Sequence, residues 1–263
     1  MITFNLFPGG KMNCITMSFD DGRIYDRNVV SILNKYQMKG TFFLNSSFLD
    51  SDDYLKSSEI KELYKGHEVG VHTLTHPHLN NLSSLSIYNE VLEDKKALEA
   101  LMNYPIRGMS YPFGKYNDTV IEVLRNCGIE YSRTCEYNLK YTRPYDYLKW
   151  HSTCHLRGNE DDVIEPFFTN RFNKLQLLYV WTHSYEFNDH NNYEVLEDFC
   201  KKARSHDDIW YATNIEVIEY LKALDQLVIS ANEDMLYNPT ITPVWVSVNN
   251  EKVKVLPGEI KYL

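Results

Sequence analysis

Two adjacent carboxylates, Asp20 and Asp21, end an apolar run in the sequence Ile15-Thr-Met-Ser-Phe-Asp-Asp-Gly22. Carboxylates side by side repel each other when both are ionised and poorly hydrated. A bound cation would remove this repulsion, because one Asp could bind it while the other keeps a pKa low enough to act as a base. The pair therefore indicates either a hydrated surface pair or a site that handles charge.

Two histidines with four-residue spacing, His72 and His76, directly follow a strand candidate, His67–Val71. This spacing can turn both imidazoles to one side of a helical turn, as in metal-binding pairs. With one carboxylate they would form a facial set that leaves positions open for water and substrate, which suits Zn²⁺ and also Fe²⁺ or Co²⁺. Isolated pairs of this kind arise by chance, but both this pair and the Asp pair follow a strand, which favours a site.

Two further strand ends carry candidate groups. Tyr111-Pro-Phe-Gly114 ends the strand candidate Ile106–Tyr111 and is typical of a plain turn. It could also be a rigid backbone whose N–H points at a developing oxyanion. His183 follows the most apolar strand candidate, Lys174–Trp181, and is either a structural histidine or a general acid.

Strand-like and helix-like periodicities alternate about seven times along the chain. The alternation predicts an α/β fold with a mostly parallel sheet, for which a barrel is the natural closure. Functional side chains in such folds collect where strands end. The segment from Cys135 to Asn159 shows no period and is predicted to be a long loop, and the tail after Leu227 has only β-type runs. The other predicted strands are Cys14–Phe19, Gly40–Leu44, Ile129–Thr134 and Ile209–Ala212, and the predicted helices are Tyr25–Tyr36, Ser58–Lys65, Leu85–Met102, Thr119–Cys127, Tyr193–Arg204 and the helix after Thr213.

Composition narrows the class of protein. The chain has 263 residues, 43% of them hydrophobic, and a net charge of −9, which disfavours nucleic acid as the main partner. No apolar run is long enough to cross a membrane, and the first residues lack the pattern of a secretory signal. The five cysteines are scattered, as expected for reduced thiols. These features predict a cytoplasmic protein with neither nucleic acid nor a membrane as partner.

The motifs, in this order, resemble those of the polysaccharide deacetylase family, also called carbohydrate esterase family 4 or NodB-homology domains. Ser18-Phe-Asp-Asp-Gly22 is similar to the first motif, T-F-D-D-G, and His72-Thr-Leu-Thr-His76 to the second, H-[ST]-x-x-H. The resemblance covers roughly residues 12–225. It implies a distorted (β/α)7-type barrel, here over residues 1–226, with 227–263 as a short β-rich extension packed on the same domain.

The resemblance also implies a reaction and its residues. The family removes acetyl groups from glycans with a divalent metal, for which we expect Zn²⁺, with Co²⁺, Fe²⁺ or Ni²⁺ as alternatives. Asp20 would be the catalytic base and His183 the general acid. Asp21, His72 and His76 would hold the metal. The substrate and oxyanion contacts would come from Tyr111, Pro112, Phe113, Lys149 and Trp150.

Two positions depart from the family pattern. The third motif, R-x-P-[YF]-G, appears with Ser110 where arginine is expected, and the fourth, D-x-x-D-W, appears as Asp146-Tyr-Leu-Lys-Trp150. Because both charged partners of the site are altered, Lys149 is a candidate for the cation that tunes Asp20; it could equally be a solvated loop residue. His151, Cys154 and His155 could form a second metal site, but they more readily line the cleft or pack beneath it.

Three functions fit the sequence. The first is a metal-dependent deacetylase acting on an N- or O-acetylated sugar or glycan. The second is an amidohydrolase for a small non-sugar amide, such as a cyclic amide. The third is a catalytically silent protein that binds metal or glycan, against which the presence of both Asp20 and His183 argues, since neither is needed to hold a metal.

Overall fold

The computed structural model describes residues 1–169 and 174–263. Strands and helices alternate through most of this range, as the periodicity predicts. The strands are β1 (Ile2–Thr3), β2 (Asn13–Asp21), β3 (Thr41–Leu44), β4 (Glu68–Val71), β5 (Gly108–Ser110), β6 (Tyr131–Tyr137), β7 (Trp150–Ser152), β8 (Cys154–His155), β9 (Gln176–His183), β10 (Ile209–Tyr211), β11 (Val228–Ile229), β12 (Met235–Tyr237), β13 (Val244–Val248), β14 (Glu251–Val255) and β15 (Ile260–Tyr262).

Helices lie between most of the strands as far as residue 225. Each of the long ones buries one apolar face; α1, for example, buries Val29, Val30 and Leu33. The helices are α1 (Asp26–Lys35), α2 (Ile60–Leu63), α3 (Ser84–Met102), α4 (Asp118–Asn126), α5 (Asp161–Thr169), α6 (Ser184–Asp189), α7 (Glu194–Arg204) and α8 (Asn214–Asp225).

The centre of the molecule is a nine-stranded parallel sheet in the order β7-β6-β5-β4-β3-β2-β9-β8, with β10 beside the beginning of β2. The short segment 150–155 joins the two edges of this sheet. Its first half, β7, pairs with β6, and its second half, β8, pairs with β9. Thr153 lies between them and its N–H donates to the carbonyl of Tyr179 at 2.7 Å. The fold is therefore the α/β class predicted, with the sheet curved as in a distorted (β/α)7-type barrel.

Strand β2 runs through the middle of this sheet and is covered on both faces. Every residue from Asn13 to Asp20 is buried, as expected for a parallel strand that is covered on both faces. Beside it, β9 is buried from Gln176 to Thr182 for the same reason. These two strands carry Asp20 and His183 to the same end of the sheet.

The residues after 226 form two small antiparallel sheets. One contains β1, β13 and β14, so the first residues of the chain pair with its last third; the other contains β11, β12 and β15. Buried side chains of this segment, among them Leu236, Val244 and Val246, belong to the same apolar cluster as Val217 and Ile218 of α8.

The structure differs from the sequence prediction between residues 135 and 190. The predicted loop Cys135–Asn159 contains β7, β8 and the end of β6, and helices α5 and α6 were not predicted. Strands of two or three residues are too short to show a period of two, so the pattern could not reveal them. Across residues 1–169 and 174–263, no helix has the length and apolarity that a bilayer span requires.

Candidate active site

The candidate site lies where the parallel strands end. Asp20 and Asp21 end β2, His72 follows β4, and His183 ends β9. Asp20 and His183 are paired positions of neighbouring strands, so the register alone places them side by side. All the predicted catalytic and metal-binding side chains therefore meet at one end of the sheet, as expected for this class of fold.

Three side chains form a candidate metal centre. The Oδ1 atom of Asp21 lies 3.5 Å from Nε2 of His72 and 3.7 Å from Nε2 of His76. Ligand atoms of a tetrahedral zinc ion lie about 3.4 Å apart, given bond lengths of about 2.1 Å. The carboxylate and the two imidazoles therefore fit a divalent metal in both chemistry and spacing.

His72 and His76 lie in a loop. Their four-residue spacing had suggested a helical turn, which the structure does not show here. Asp21, Thr73 and His76 have positive φ angles of 81°, 70° and 56°. Such angles are unfavourable for residues other than glycine and occur at sites that constrain the backbone. Burial and the neighbouring His72 lower the pKa of His76 to about 4, so this imidazole is neutral, as a metal ligand must be.

Buried polar groups hold His72 in place. Its Nδ1 faces the backbone carbonyl of Ser110 at 2.9 Å, which leaves Nε2 toward Asp21. Its backbone N–H donates to Asp94 at 3.1 Å, and its carbonyl accepts from Asn45 at 2.5 Å. Hydrogen bonds of this kind, made by the second nitrogen of a histidine, are typical of metal ligands. Burial raises the pKa of Asp94 to about 8, although Ser46 and His72 donate to it.

Arg133 is the cation beside Asp20, and sequence reasoning missed it. Its side chain is fully buried, Nη2 pairs with Oδ2 of Asp20, and the guanidinium lies 4.0 Å from the centre of the Trp181 ring. Ser110 donates to the other oxygen of Asp20 at 3.2 Å. Burial by itself would raise the pKa of Asp20, but Arg133, His72 and His183 outweigh it and the net shift is downward. Asp20 is thus held ionised.

The position of Arg133 explains the missing arginine of the third motif. Ser110 and Arg133 are paired positions of β5 and β6, so the guanidinium comes from the adjacent strand at the same level of the sheet. The prediction that Lys149 supplies this charge does not agree with the structure, since no ion pair joins Lys149 to Asp20 within 1–169 and 174–263. One signal was available: an arginine inside an apolar strand needs a buried partner.

His183 is held by Glu186 of the helix that follows it. Nδ1 of His183 lies 2.6 Å from Oε1 of Glu186, and because a carboxylate only accepts, this nitrogen carries the hydrogen. Burial lowers the pKa of His183, but Glu186, Asp20 and Asp21 raise it by a larger amount. The net shift of this pKa is therefore upward. The other oxygen of Glu186 lies 3.0 Å from Nε2 of His155 and 3.6 Å from Nε of Arg157.

The cluster His155–His183–Glu186 is a second group of potential ligands. Two features argue against a metal ion in this group. The hydrogen bond to Glu186 already occupies Nδ1 of His183, and Arg157 adds a positive charge next to the carboxylate. Of the histidines predicted as a possible second site, His155 belongs to this group, whereas His151 contacts Thr134 at 2.6 Å. Burial raises the pKa of the Cys154 thiol to about 12.

The residues expected at the substrate divide into exposed and buried groups. Phe113 is half exposed, has φ = 55°, and stacks on His78 with ring centres 4.0 Å apart. Tyr111 and Pro112 are buried, and the Tyr111 hydroxyl donates to the carbonyl of Leu148 at 2.8 Å.

Trp150 belongs to the core, although a substrate contact was predicted for it. Its side chain is 1% exposed and packs against Tyr131 and Tyr179. Its indole cannot reach a substrate from this position. Lys149, at the end of the short turn Tyr147–Lys149, is partly exposed.

Comparison with known proteins agrees with this geometry. Residues 9–132 match the model of the family described as polysaccharide deacetylase. The chain is 31% identical over 118 residues to the peptidoglycan-N-acetylglucosamine deacetylase of Bacillus cereus, covering 44% of this chain and 54% of that protein. It is 27% identical over 118 residues to the chitooligosaccharide deacetylase of Sinorhizobium fredii, covering 44% of this chain and 54% of that protein. The chain thus spans about half the length of these curated relatives.

The fold is found among solved structures as well. A family 4 carbohydrate esterase from Streptomyces lividans, in complex with acetate, has a TM-score of 0.54 at 13% identity, covering 77% of this chain and 93% of that one. At this identity the likeness shows the fold alone. The sequence match of residues 9–132 and the order of the strand-end motifs nevertheless point the same way: this part of the chain is similar to the polysaccharide deacetylase family.

Proposed function

We propose that the protein is a metal-dependent hydrolase that removes acetyl groups from an N- or O-acetylated carbohydrate. The observation that carries the proposal is the arrangement around Asp20. An ionised carboxylate, paired with a buried arginine, lies next to a metal-type triad and opposite a histidine that holds a proton. A protein that only bound metal or glycan would need neither Asp20 nor His183.

The metal would be held by Asp21, His72 and His76. We expect Zn²⁺, with Co²⁺, Fe²⁺ or Ni²⁺ as alternatives, and the ion would supply a Lewis acid for the acetyl carbonyl. The side chains of this chain do the rest. The loop backbone and the Ser110 carbonyl orient the imidazoles, and the neutral state of His76 makes its nitrogen available.

Asp20 and His183 would transfer the protons of the reaction. Asp20 takes the proton of the attacking water, and Arg133 keeps Asp20 ionised before that step. His183 gives a proton to the leaving amine or hydroxyl, with Glu186 holding its ring and favouring the protonated form. The backbone N–H of Phe113 would face the oxyanion that forms at the acetyl carbon.

The names of the relatives support a sugar substrate. One is called a peptidoglycan-N-acetylglucosamine deacetylase and another a chitooligosaccharide deacetylase. The exposed ring of Phe113, next to His76, offers the flat apolar surface on which a sugar ring can stack.

The experiment is acetate release by the metal-free protein reloaded with Zn²⁺, Co²⁺, Ni²⁺ or Fe²⁺. N-acetylglucosamine oligomers and an O-acetylated xylan test the two kinds of acetyl group, with bound metal measured in parallel. We expect Asp20→Asn to retain the metal and to lose about 10²–10⁴-fold in rate, because it lacks the base. Asp118→Asn, a change at an exposed carboxylate, is the matched control. No acetate from either substrate with any metal, or full activity of Asp20→Asn, would overturn the proposal.

A further inference from the structure

Arg23 is partly buried and follows the candidate metal ligand Asp21 by two residues. Its backbone is fixed by a short antiparallel bridge to Tyr54. On either side of it the backbone N–H of Ile24 donates to the backbone carbonyl of Asp53 at 3.0 Å, and the carbonyl of Gly22 accepts from the backbone N–H of Leu55 at 3.1 Å. The start of the Arg23 side chain is therefore held in a defined place beside the candidate metal ligand.

Two aromatic rings flank the guanidinium of Arg23. Its central carbon lies 4.3 Å from the centre of the Tyr54 ring and 5.7 Å from that of Tyr185. Cation–π contacts of this kind orient a guanidinium without neutralising it. The Nε atom is buried and has no hydrogen-bond partner in the part of the chain that the structure describes.

Other arginines in and around the site have a carboxylate beside them, and Arg23 does not form such an ion pair in the described residues. Arg133 pairs with Asp20, Arg157 lies beside Glu186, and Arg27 pairs with Glu59. Over residues 1–169 and 174–263 no carboxylate forms an ion pair with Arg23. A rigidly placed arginine without an anion is arranged to receive one, because its planar fork matches a carboxylate or phosphate.

The reacting groups are close to this cation. The ring of Tyr185 stacks on that of His183 with centres 4.8 Å apart, so one ring separates Arg23 from the proposed general acid. Burial, and then Asp21 and Glu186, raise the pKa of Tyr185 to about 12, while Arg23 opposes them. The neutral phenol of Tyr185 thus lies within the field of both the carboxylates and Arg23.

We propose that Arg23 binds an anionic group, a carboxylate or a phosphate, carried by the glycan close to its acetylated sugar. The inference rests on the proposed function and narrows its substrate to acidic glycans. The protein has a net charge of −9 and therefore repels anions. An acidic substrate would need a local positive group such as Arg23 near the reacting groups. Arg23 would thereby select acidic over neutral oligomers.

The test compares substrates that differ only in charge. N-acetylglucosamine tetramer is one, the same tetramer oxidised at C6 to carboxylates is the second, and the tetramer phosphorylated at C6 is the third. For the metal-loaded wild type we expect kcat/KM on one of the charged tetramers to exceed that on the neutral one by about tenfold or more, the size of one charge-assisted hydrogen bond. Which charged tetramer is preferred tells carboxylate from phosphate.

Arg23→Gln should reduce this preference to near one, and Arg23→Lys should keep part of it. Arg27→Gln is the matched control, because Arg27 is an exposed arginine paired with Glu59, and it should keep the wild-type ratio. Equal ratios in wild type and Arg23→Gln would overturn the inference while leaving the proposed function intact.

If no tetramer is hydrolysed, calorimetric binding of the same three tetramers decides about Arg23, and the proposed function fails only if the O-acetylated xylan releases no acetate either. Tighter binding of a charged tetramer to the wild type, lost in Arg23→Gln, supports the inference. Equal binding of all tetramers contradicts it.

Discussion

The proposed base and the proposed acid are neighbours in the sheet but are held by opposite kinds of contact. Asp20 is fixed by Arg133, which is 113 positions away in the chain, and both side chains are buried. His183 is fixed by Glu186, three residues later, and both side chains are partly exposed. The base thus depends on the assembled sheet, whereas the acid depends on one turn of helix that follows its own strand.

This difference predicts how each group responds to change. Breaking a buried ion pair leaves a charge without a partner or solvent, and the whole protein is destabilised. Losing a partner at a partly exposed site changes a pKa and an orientation but little of the fold. Three substitutions test the contrast, and they differ widely in expected effect.

Arg133→Met should have the largest effect. It leaves Asp20 buried without its cation, so the free energy of unfolding should fall by about 3–5 kcal/mol. Asp20 has a lowered pKa in the folded wild type, so the stability from this pair is present above the unfolded pKa of about 3.9 and is lost as the pH falls. Urea unfolding at pH 7 and in acid should therefore show a gap between wild type and variant that narrows in acid.

The exchange Ser110→Arg with Arg133→Ser provides the control. It returns the guanidinium to the strand position opposite its present one, next to the same carboxylate. The double variant should be more stable and more active than Arg133→Ser alone. If it is no better, the role of Arg133 is packing against Trp181 and not charge.

Glu186→Gln should have an intermediate effect, on the rate and not on the fold. Glu186 raises the pKa of His183, so its loss lowers that pKa and removes the acid form at a lower pH. We expect the alkaline limb of the pH–rate profile to move to lower pH and kcat to fall by about 10–100-fold, with KM nearly constant. An alkaline limb that stays in place would show that Glu186 does not act through His183.

Lys149→Met should have the smallest effect. Because Arg133 already supplies the charge beside Asp20, the pH–rate profile should keep its shape and its midpoints. A profile that shifts as much as in the Arg133 variants would restore Lys149 as the cation that tunes the base.

Sequence alone predicts the site residues that lie close together in the chain, directly after a strand. Asp20 and Asp21 follow one strand, His72 and His76 another, and parallel strands end together. The alternation of strands and helices gave the fold class in the same way. The role of Glu186 could also have been predicted, because it lies three residues after His183, in the first turn of a helix.

The parts that sequence could not give depend on which strand lies beside which. Arg133 reaches Asp20 only because β6 pairs with β5 in a register that sets it next to Ser110. Nothing in the order of residues states that register. The burial of Trp150 has the same origin, because β7 is recognisable as a strand only from its partner β6.

The segment 150–155, which joins the two edges of the sheet, also bears on how copies of the chain meet. An unpaired strand edge is where one sheet adds to another, and this segment covers the edges of both β6 and β9. Strand edges that are open to another chain include those of the small sheets, such as β14. That strand exposes Glu251, Lys252 and Lys254, and charges along an edge discourage edge-to-edge growth. Replacing these charges with apolar residues would be the direct way to turn this protein toward aggregation.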